Sequence, residues 1–236
     1  MPGGACVKGA AYHHGDLRED LLRAAEGLLR SGDLNAVTLR ACARAAGVSH
    51  AAPQHHFRDL SDLLAETAAR GYKRLGVALA AALDGAPASP EARFLAVGRT
   101  YVRFAREESE LFRLMFRADR LNVANEALRS DRLACYAHMA SAVSGMRGEP
   151  PVVAAELPGR RQDGLWLEDI LIAWSYVHGF ALLVLEGEID RLLTERWEGS
   201  RAPMDPHSDL DAMTDRILDQ TARRLGAILQ VTPGES

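Results

Sequence analysis

The sequence predicts an all-α fold. Apolar residues recur at helical spacing in most segments of the 236-residue chain, and no strand-like alternation of useful length occurs. Glycine, proline and helix-capping residues separate these segments. The length and a hydrophobic content of 47% allow two domains, each with its own core. We expect a small N-terminal domain over residues 12–60 and a larger helical domain over residues 61–232.

The first predicted helix begins after Asp16, which can cap it with Glu19 at the third helical position. Ser31 and Gly32 end this helix. Its apolar stripe consists of Leu17, Leu21, Leu22, Ala25, Leu28 and Leu29. A stripe of this width has to be buried, so it forms one wall of the N-terminal core.

Residues 38–64, with the sequence TLRACARAAGVSHAAPQHHFRDLSDLL, predict two short helices joined by a tight turn and followed by a third helix. Thr38 can cap the first of these two short helices, and Gly47, just past the end of that helix, suits a left-handed backbone conformation. Ser49 can then cap the second helix, over about residues 50–56. The pattern is typical of a helix-turn-helix, a motif that binds DNA.

The second short helix would present small and hydrogen-bonding side chains, which allow a helix to lie deep in a major groove. Pro53 lies about one turn into this helix, removes a backbone donor and should distort it. Phe57, just after it, is the natural aromatic plug of the small core. The exposed side of the helix would carry His50, Ala51, Ala52, Gln54 and His55.

Three segments of the N-terminal region resemble the tetracycline repressor-like (TetR) family of bacterial regulators: YHHGDLRE at 12–19, TLRACARAAGVSHAAP at 38–53 and HHF at 55–57. Near the other end, AWSYVHGFALLVLEG at 173–187 and YVRFAREESELFRLMF at 101–116 resemble one class of TetR C-terminal domain, which carries a Trp-His-Gly signature. The resemblance implies an N-terminal DNA-binding domain, a C-terminal ligand-binding and dimerisation domain, and a homodimer on a roughly palindromic operator.

The motif and the resemblance together give a predicted DNA-binding set. It consists of Thr38, Arg40, Ser49, His50, Ala51, Ala52, Gln54, His55 and His56. The chain departs from the family pattern at Gln54, where Tyr is usual, and at Leu60, where Lys is usual. Both usual residues contact phosphates, so an alternative function is a helical ligand- or partner-binding dimer with weakened or lost DNA binding. Salt-sensitive binding to duplex DNA distinguishes the two.

The charge distribution limits how DNA could be bound. The whole chain has a net charge of -4, whereas residues 1–60 carry seven Lys or Arg against six Asp or Glu, and five of the eight histidines. DNA binding must therefore depend on a local patch, with helix amino ends assisting. The candidate cations are Lys8, Arg40, Arg44, Arg58 and Arg70. The alternative is that these side chains only solvate a surface.

Neither a metal nor a cofactor is predicted. The pairs at 13–14 and 55–56 are adjacent histidines, which point about 100° apart on a helix and cannot easily share an ion. The three cysteines, Cys6, Cys42 and Cys135, have no metal or redox spacing. The sequence contains neither a Ser-His-Asp order nor a phosphate-binding glycine loop, so no motif in it favours an enzyme.

The larger domain is predicted to begin with a helix from residue 59 or 61 toward 83. A break at 84–91 ends in a good helix start, Ser89-Pro90-Glu91, and the next helix runs to about 108. An apolar segment follows at 109–117, then a helix at 122–144. Residues 144–164 look like a loop, and a break at 198–209 precedes a final amphipathic helix to about 230.

The helix predicted at 165–187 is apolar nearly all round and should be buried on several sides. With the last helix (Met213, Ile217, Leu225 and Ile228) it would form a four-helix dimer interface. Trp174 and His178 lie one turn apart and can face one cavity for a small, mostly hydrophobic effector. The proposed walls are Tyr101, Phe112, Met115, Phe116 and Met139. The alternative for all seven residues is ordinary core packing.

These observations favour a cytoplasmic repressor that a ligand releases from its operator. No apolar run reaches the roughly eighteen residues that span a bilayer, and residues 1–14 lack the apolar block of a signal peptide. We therefore expect the protein to bind duplex DNA, a small-molecule effector and a second copy of itself, and not to bind a membrane.

Overall fold

The computed structural model describes residues 17–160, 164–194 and 206–229, and throughout these ranges its regular structure is helical. This confirms the all-α prediction. In chain order the α-helices are α1 Leu17–Leu29, α2 Leu39–Ala45, α3 Leu60–Gly85, α4 Pro90–Glu107, α5 Ser109–Met115, α6 Glu126–Met146, α7 Leu157–Arg160, α8 Gly164–Leu185, α9 Glu188–Thr194 and α10 Pro206–Leu229. Single 3₁₀ turns occur at Leu34–Ala36, Ala52–His55 and Ala154–Glu156. Lys8 and the predicted cap Asp16 lie outside the described residues.

The apolar stripe of α1 is buried as the sequence predicts, but its core is continuous with that of the larger domain rather than separate from it. Leu21 and Ala25 of α1 are fully buried, and the ring of Phe57 is 1% exposed. Helix α1 packs against both α2 and α3. Cys42 is buried in the same core, where desolvation raises the pKa of its thiol to about 11.

The turn after α2 follows the sequence prediction at two positions. The Oγ of Thr38 accepts a hydrogen bond from the backbone N–H of Ala41 at 3.1 Å, which caps α2. Gly47 has a φ of 70°, a left-handed conformation that glycine adopts without a steric penalty. The chain therefore changes direction at Gly47, directly after the end of α2.

The expected helix over 50–56 is wrong in length and type: the structure has one 3₁₀ turn, Ala52–His55. Its bonds join residues three apart, such as the N–H of Gln54 to the carbonyl of Ala51. Pro53 has no N–H to donate, which removes the α-helical bond at that position. Ser49 does not cap the turn with its hydroxyl; Ala51 occupies the cap position and makes no side-chain cap bond.

Helix α3 begins after Asp59, whose carboxylate accepts from the N–H of Asp62 at 3.0 Å. It runs from the N-terminal unit into the larger domain, where it packs chiefly against α6 and also against α4 and α5. Helix α6 lies beside Gly76, where a Cβ would be in ordinary van der Waals contact with Cys135, 3.6 Å from its Cα. Tyr72 is buried at the same level and donates to the carbonyl of Met115 at 2.9 Å.

The remaining helices complete a bundle around α4. Helices α3, α6, α8 and α10 all contact α4. A Cβ on Gly98 of α4 would lie 2.7 Å from Leu218 of α10, so these two helices cross at short distance. Leu225 of α10 is 2% exposed, and therefore packs into its own domain rather than standing free for a partner, which corrects the sequence prediction. Met213 and Ile217 are half-buried against the same core, and the side chain of Ile228 lies outside the described residues.

Several boundaries in the larger domain differ from the sequence prediction. Helix α6 begins at Glu126 rather than 122, because Asn125 caps it by accepting from the N–H of Leu128. The segment expected to be a loop contains the short helix α7 and ends at α8. Helix α9 was not predicted.

Segment Leu167–Leu185 of α8 is long and apolar enough to cross a membrane, judged by length and composition alone. The sequence expectation that no run reaches that size is therefore corrected. Part of this helix packs against α4, α6 and α10, and Asp169 near its start is buried and paired with Arg147. These contacts are typical of a helix inside a helical bundle.

Four charged residues on α3, spaced four apart, form what we call the α3 charged stripe: Asp62, Glu66, Arg70 and Arg74. Residues at this spacing lie on one face of a helix. Glu66 pairs with Arg18 of α1, and Arg70 pairs with Glu19 and Glu26 of α1. Arg74 lies 3.2 Å from Glu26 and 3.4 Å from Glu108, at the junction of α4 and α5. The stripe thus joins α1 to the larger domain.

Asp62 is the end of the stripe nearest the helix-turn-helix and connects three segments. Its Oδ1 accepts from Asn122 and Asn125, each at 3.0 Å, and from the guanidinium of Arg58 at 3.2 Å. Burial alone would raise the pKa of Asp62, but these hydrogen bonds outweigh it and hold the pKa well below its usual range.

We expect Asp62→Asn to lower the free energy of unfolding at pH 7 by about 1–3 kcal/mol, the scale of hydrogen bonds to a charged group. A depressed carboxyl pKa stabilises the folded state above the unfolded pKa of about 4, and this contribution is lost as pH falls toward the folded value. The difference between the two proteins should therefore narrow below about pH 4. Urea unfolding at several pH values measures it; a constant difference from pH 7 to pH 3 would contradict the assignment.

Candidate DNA-binding surface and effector cavity

The predicted DNA-binding residues lie on α2, on the turn after it and on the 3₁₀ segment. Eight of the nine are exposed, and Ala52 is half-buried. The exposed eight are Thr38, Arg40, Ser49, His50, Ala51, Gln54, His55 and His56. Pro53 and Phe57, by contrast, are buried and fix the segment to the core. The side chains that could reach a base edge or a phosphate are therefore on the outer side of the motif.

The candidate cations separate into two groups. Arg40 and Arg44 are exposed, and the described part of the chain provides no ion pair for either. Arg58 is bonded to Asp62, although its side chain is 73% exposed. Arg70 is held between Glu19 and Glu26 in the α1–α3 contact, so it is removed from the phosphate-binding candidates.

A cluster of aromatic side chains surrounds Tyr101, which is 1% exposed. Its hydroxyl oxygen accepts from the indole Nε1–H of Trp174 at 3.2 Å and lies 2.8 Å from Nδ1 of His178. Because the oxygen accepts from the indole, the hydroxyl proton is available to Nδ1. Phe116 stacks at a tilt on the imidazole with a centroid distance of 4.5 Å, and Phe112 is 5.7 Å away.

These contacts keep the cluster uncharged. Burial lowers the pKa of His178, so its imidazole is neutral at pH 7. Burial raises the pKa of Tyr101 well above its usual value, and the bond from Trp174 offsets this only in part. The three polar groups therefore satisfy one another as neutral partners.

Beside this cluster lies a cavity of about 400 Å³, a volume within the range of small-molecule sites. Three of the predicted wall residues line it: Tyr101, Met139 and Trp174. Four others do not: Phe112, Met115, Phe116 and His178. Phe112 and Met115 are almost completely buried in the core behind the cavity wall.

Most of the lining was not predicted. Arg132, Leu133 and Tyr136 of α6 face the cavity together with Met139. Their spacing follows the helical period, and extension of that period from Met139 could have found them. Leu157 and Pro158 close another side from α7. No sequence pattern indicated them, because this segment looked like a loop.

Within the described residues, no group of three or more His, Cys, Asp or Glu is arranged to hold a metal ion. Of the paired histidines, those at 13–14 lie outside the described ranges. His55 and His56 are both exposed on the 3₁₀ segment and the residue after it.

We expect Tyr101→Phe to destabilise the protein by about 1–3 kcal/mol, because the indole N–H of Trp174 and Nδ1 of His178 would lose their shared buried partner. Ser130→Ala, which removes an exposed hydroxyl from α6, is the control and should change stability little. Chemical denaturation measures the free energy of unfolding of both variants. Equal changes in the two would show that the buried hydroxyl of Tyr101 contributes no more to stability than an exposed hydroxyl.

Comparison with known proteins gives one family match, to the model described as tetracyclin repressor-like, C-terminal domain, over residues 94–202. None of the curated proteins matches the sequence significantly. Among solved structures, the chain is similar to a protein with unknown function from Rhodococcus sp. RHA1, with 28% identity and a TM-score of 0.64 over 92% of this chain and 97% of that one. It is also similar to the TetR family transcriptional regulator PfmR from Thermus thermophilus, with 21% identity and a TM-score of 0.47 over 84% and 96% of the two chains.

The matched region contains α4 without its first turn and all of α5 to α9, and therefore most of the cavity wall. The Rhodococcus structure shares the fold over nearly the whole chain, including the N-terminal unit. The family match shows that residues 94–202 of this chain are similar to a tetracyclin repressor-like C-terminal domain.

Proposed function

We propose that this TetR-like protein is a cytoplasmic, sequence-specific transcriptional regulator that binds a palindromic operator as a homodimer. In this proposal it is a repressor, and a small, mostly apolar effector releases it from DNA. It has no catalytic activity of its own. The observation that carries the proposal is the exposed polar surface of α2, the turn after it and the 3₁₀ segment, combined with a separate cavity in the larger domain.

DNA binding is supported by the chemistry of that surface. Arg40 and Arg44 are free of internal ion pairs in the described part of the chain, so binding a phosphate would cost them no existing partner. Small residues and hydrogen-bonding groups around His50 and Gln54 allow close approach to base edges. The short 3₁₀ segment limits the length of the base-reading surface, so phosphate contacts would position it.

Dimerisation is supported by an apolar stripe on α8 that stays partly exposed in the described part of the chain. Its large members are Leu171, Ile172, Tyr176, Leu182 and Leu183, which are 37–53% exposed. They recur at helical spacing and so occupy one face. A contiguous apolar face of this kind favours contact with a second copy, and a twofold axis would present two DNA-binding surfaces to two half-sites.

Effector control is supported by the way α3 connects the two functional regions. The cavity is formed by α4, α6, α7 and α8, and the α3 charged stripe contacts the start of α6 through Asn125 and the α4–α5 junction through Glu108. A ligand that favours one arrangement of these helices would change the orientation of the DNA-binding unit. It can shift the balance only by its difference in affinity for the two states.

A helical binding dimer with weakened DNA affinity is the second candidate. Leu60 is half-buried and packs against the core, so it offers no cation at the position where the family usually has Lys. Gln54 is exposed but lacks the phenol that is usual there. Either change would remove phosphate contacts without altering the cavity.

The two candidates make different predictions for DNA selection. Selection of binding sites from a random duplex library at about 50 and 150 mM salt should enrich a roughly palindromic site. Arg40→Ala should weaken binding to every sequence and reduce the salt slope by about one unit. Arg103→Ala, which removes an exposed arginine from α4, should leave both unchanged. If the unchanged protein and both variants bind DNA equally weakly and without sequence preference, the second candidate is favoured.

The α8 stripe predicts the oligomeric state. An unpaired charge buried in an interface costs about 3–5 kcal/mol, so Leu183→Glu should raise the Kd of the dimer more than about a hundredfold. Val77→Glu places the same charge on an exposed apolar residue of α3 and should leave the dimer intact. Light scattering after size exclusion measures the mass of each; a dimeric Leu183→Glu variant would exclude this face as the interface.

A further inference from the structure

Arg132 is the only charged side chain on the cavity lining of the described residues. It lies on α6 one turn before Tyr136, which also lines the cavity. Arg132 is half-buried, and its positive charge acts to lower the pKa values of Tyr136 and Tyr72 against the larger effect of burial. The guanidinium is therefore close to the phenols at one side of an otherwise apolar space.

Arg132 also differs from comparable arginines in the described ranges, because it makes no ion pair and no hydrogen bond there. Each of the other half-buried arginines has an ion pair or a hydrogen bond with a carboxylate, amide or carbonyl oxygen, although two nitrogens of Arg74 lack a hydrogen-bond partner: Arg70, Arg74, Arg93, Arg106, Arg113 and Arg120. Exposed arginines without a partner, such as Arg129, are solvated by water. A half-buried guanidinium on an apolar wall has lost part of that solvation without receiving an anion in exchange.

The neighbouring polar groups do not take the place of that anion. The hydroxyl of Tyr101, the indole of Trp174 and Nδ1 of His178 are bonded to one another. All three are neutral, so none balances the charge of Arg132 and none adds a second cation. The described part of the cavity therefore has one positive charge without a counterion, beside a large apolar surface.

We propose that the effector is an amphipathic monocarboxylate whose carboxylate pairs with Arg132 and whose hydrocarbon body fills the apolar part of the cavity. This inference rests on the proposed function, in which the cavity is the effector site. A guanidinium binds a carboxylate through two parallel hydrogen bonds, which matches a single arginine and a singly charged head group. A phosphate dianion would leave a second negative charge without a cation in the same space.

The test compares three ligands with the same eight-carbon body and different heads: octanoate, 1-octanol and octylammonium. Isothermal titration calorimetry on the full chain should show octanoate binding at least about tenfold more tightly than 1-octanol, with octylammonium the weakest. Arg132→Met keeps the length of the side chain and removes the charge. It should weaken octanoate roughly ten- to a hundredfold and leave 1-octanol unchanged. Binding of 1-octanol by the variant also shows that the cavity remains folded.

Arg129→Met is the matched control, because it removes an exposed arginine one turn away on the same helix, outside the cavity lining. The affinity of this variant for octanoate should be unchanged.

Equal affinities for octanoate and 1-octanol would overturn the carboxylate assignment and favour an uncharged effector. An equal loss of octanoate affinity in both arginine variants would overturn it as well. Octanoate that binds through Arg132 without affecting DNA affinity would keep the assignment and contradict effector-controlled release. No binding of octanoate would overturn the assignment directly.

Discussion

Helix α3 runs along one continuous hydrophobic core, and the rest of the structure depends on how this helix joins the two ends of that core. Its first turns bury Leu63 and Leu64 with α1 and the helix-turn-helix, while its later turns bury Leu75 and Leu79 against α6. Apolar packing alone is not directional, and would leave α1 able to rotate against the helix. The α3 charged stripe adds directional contacts at every turn from Asp62 to Arg74. Because these contacts join α3 to α1, to Arg58 and to the α4–α5 junction, they favour one orientation of the N-terminal unit relative to the cavity.

The surroundings of the stripe also explain why its charges stabilise the protein. Exposed ion pairs contribute little because water screens them and the side chains lose entropy. Glu26 and Glu66 are largely covered, and Glu26 is shared by Arg70 and Arg74, so several charges form one network. The hydrogen bonds to Asp62 have the same character, since two amides and one guanidinium converge on a single carboxylate. Removing one member therefore leaves its partners partly buried and unsatisfied.

Where a local pattern determines the structure, the sequence alone predicts the structure correctly. Thr38 and Ser89 cap helices as predicted, Gly47 has a positive φ, and Phe57 fills the N-terminal core. Prediction failed where neighbours distant in sequence decide. The segment after Ser49 keeps only one 3₁₀ turn, with Pro53 turned into the core, and helical periodicity alone cannot show this. The inward orientation of Leu225 likewise depends on the approach of α10 to α4, which no single helix encodes.

The cavity was predicted in part for the same reason. Trp174 and Tyr101 line it as the sequence predicts, but His178, one turn from Trp174, points to the hydroxyl of Tyr101 instead. A helical wheel places both residues on similar faces and cannot decide between cavity and core. The sequence does not indicate a role for Arg132, because an arginine on a helix of low amphipathicity is usually a solvated surface residue. Only the packing of α6 beside α8 turns that side chain toward the cavity.

The shared Glu26 has a consequence for exchanging domains between regulators. A chimera that joins the α1 and helix-turn-helix of another protein to this cavity would bring a foreign α1 against Glu66, Arg70 and Arg74. If the graft lacks counterparts of Arg18, Glu19 and Glu26, Glu66 and Arg70 lose their partners at the seam and Arg74 keeps only Glu108. Such a hybrid could fold and still hold its two halves loosely, so that ligand occupancy no longer reaches the DNA. The seam for a working exchange therefore lies within α3, beyond Arg74, and not at the loop before it.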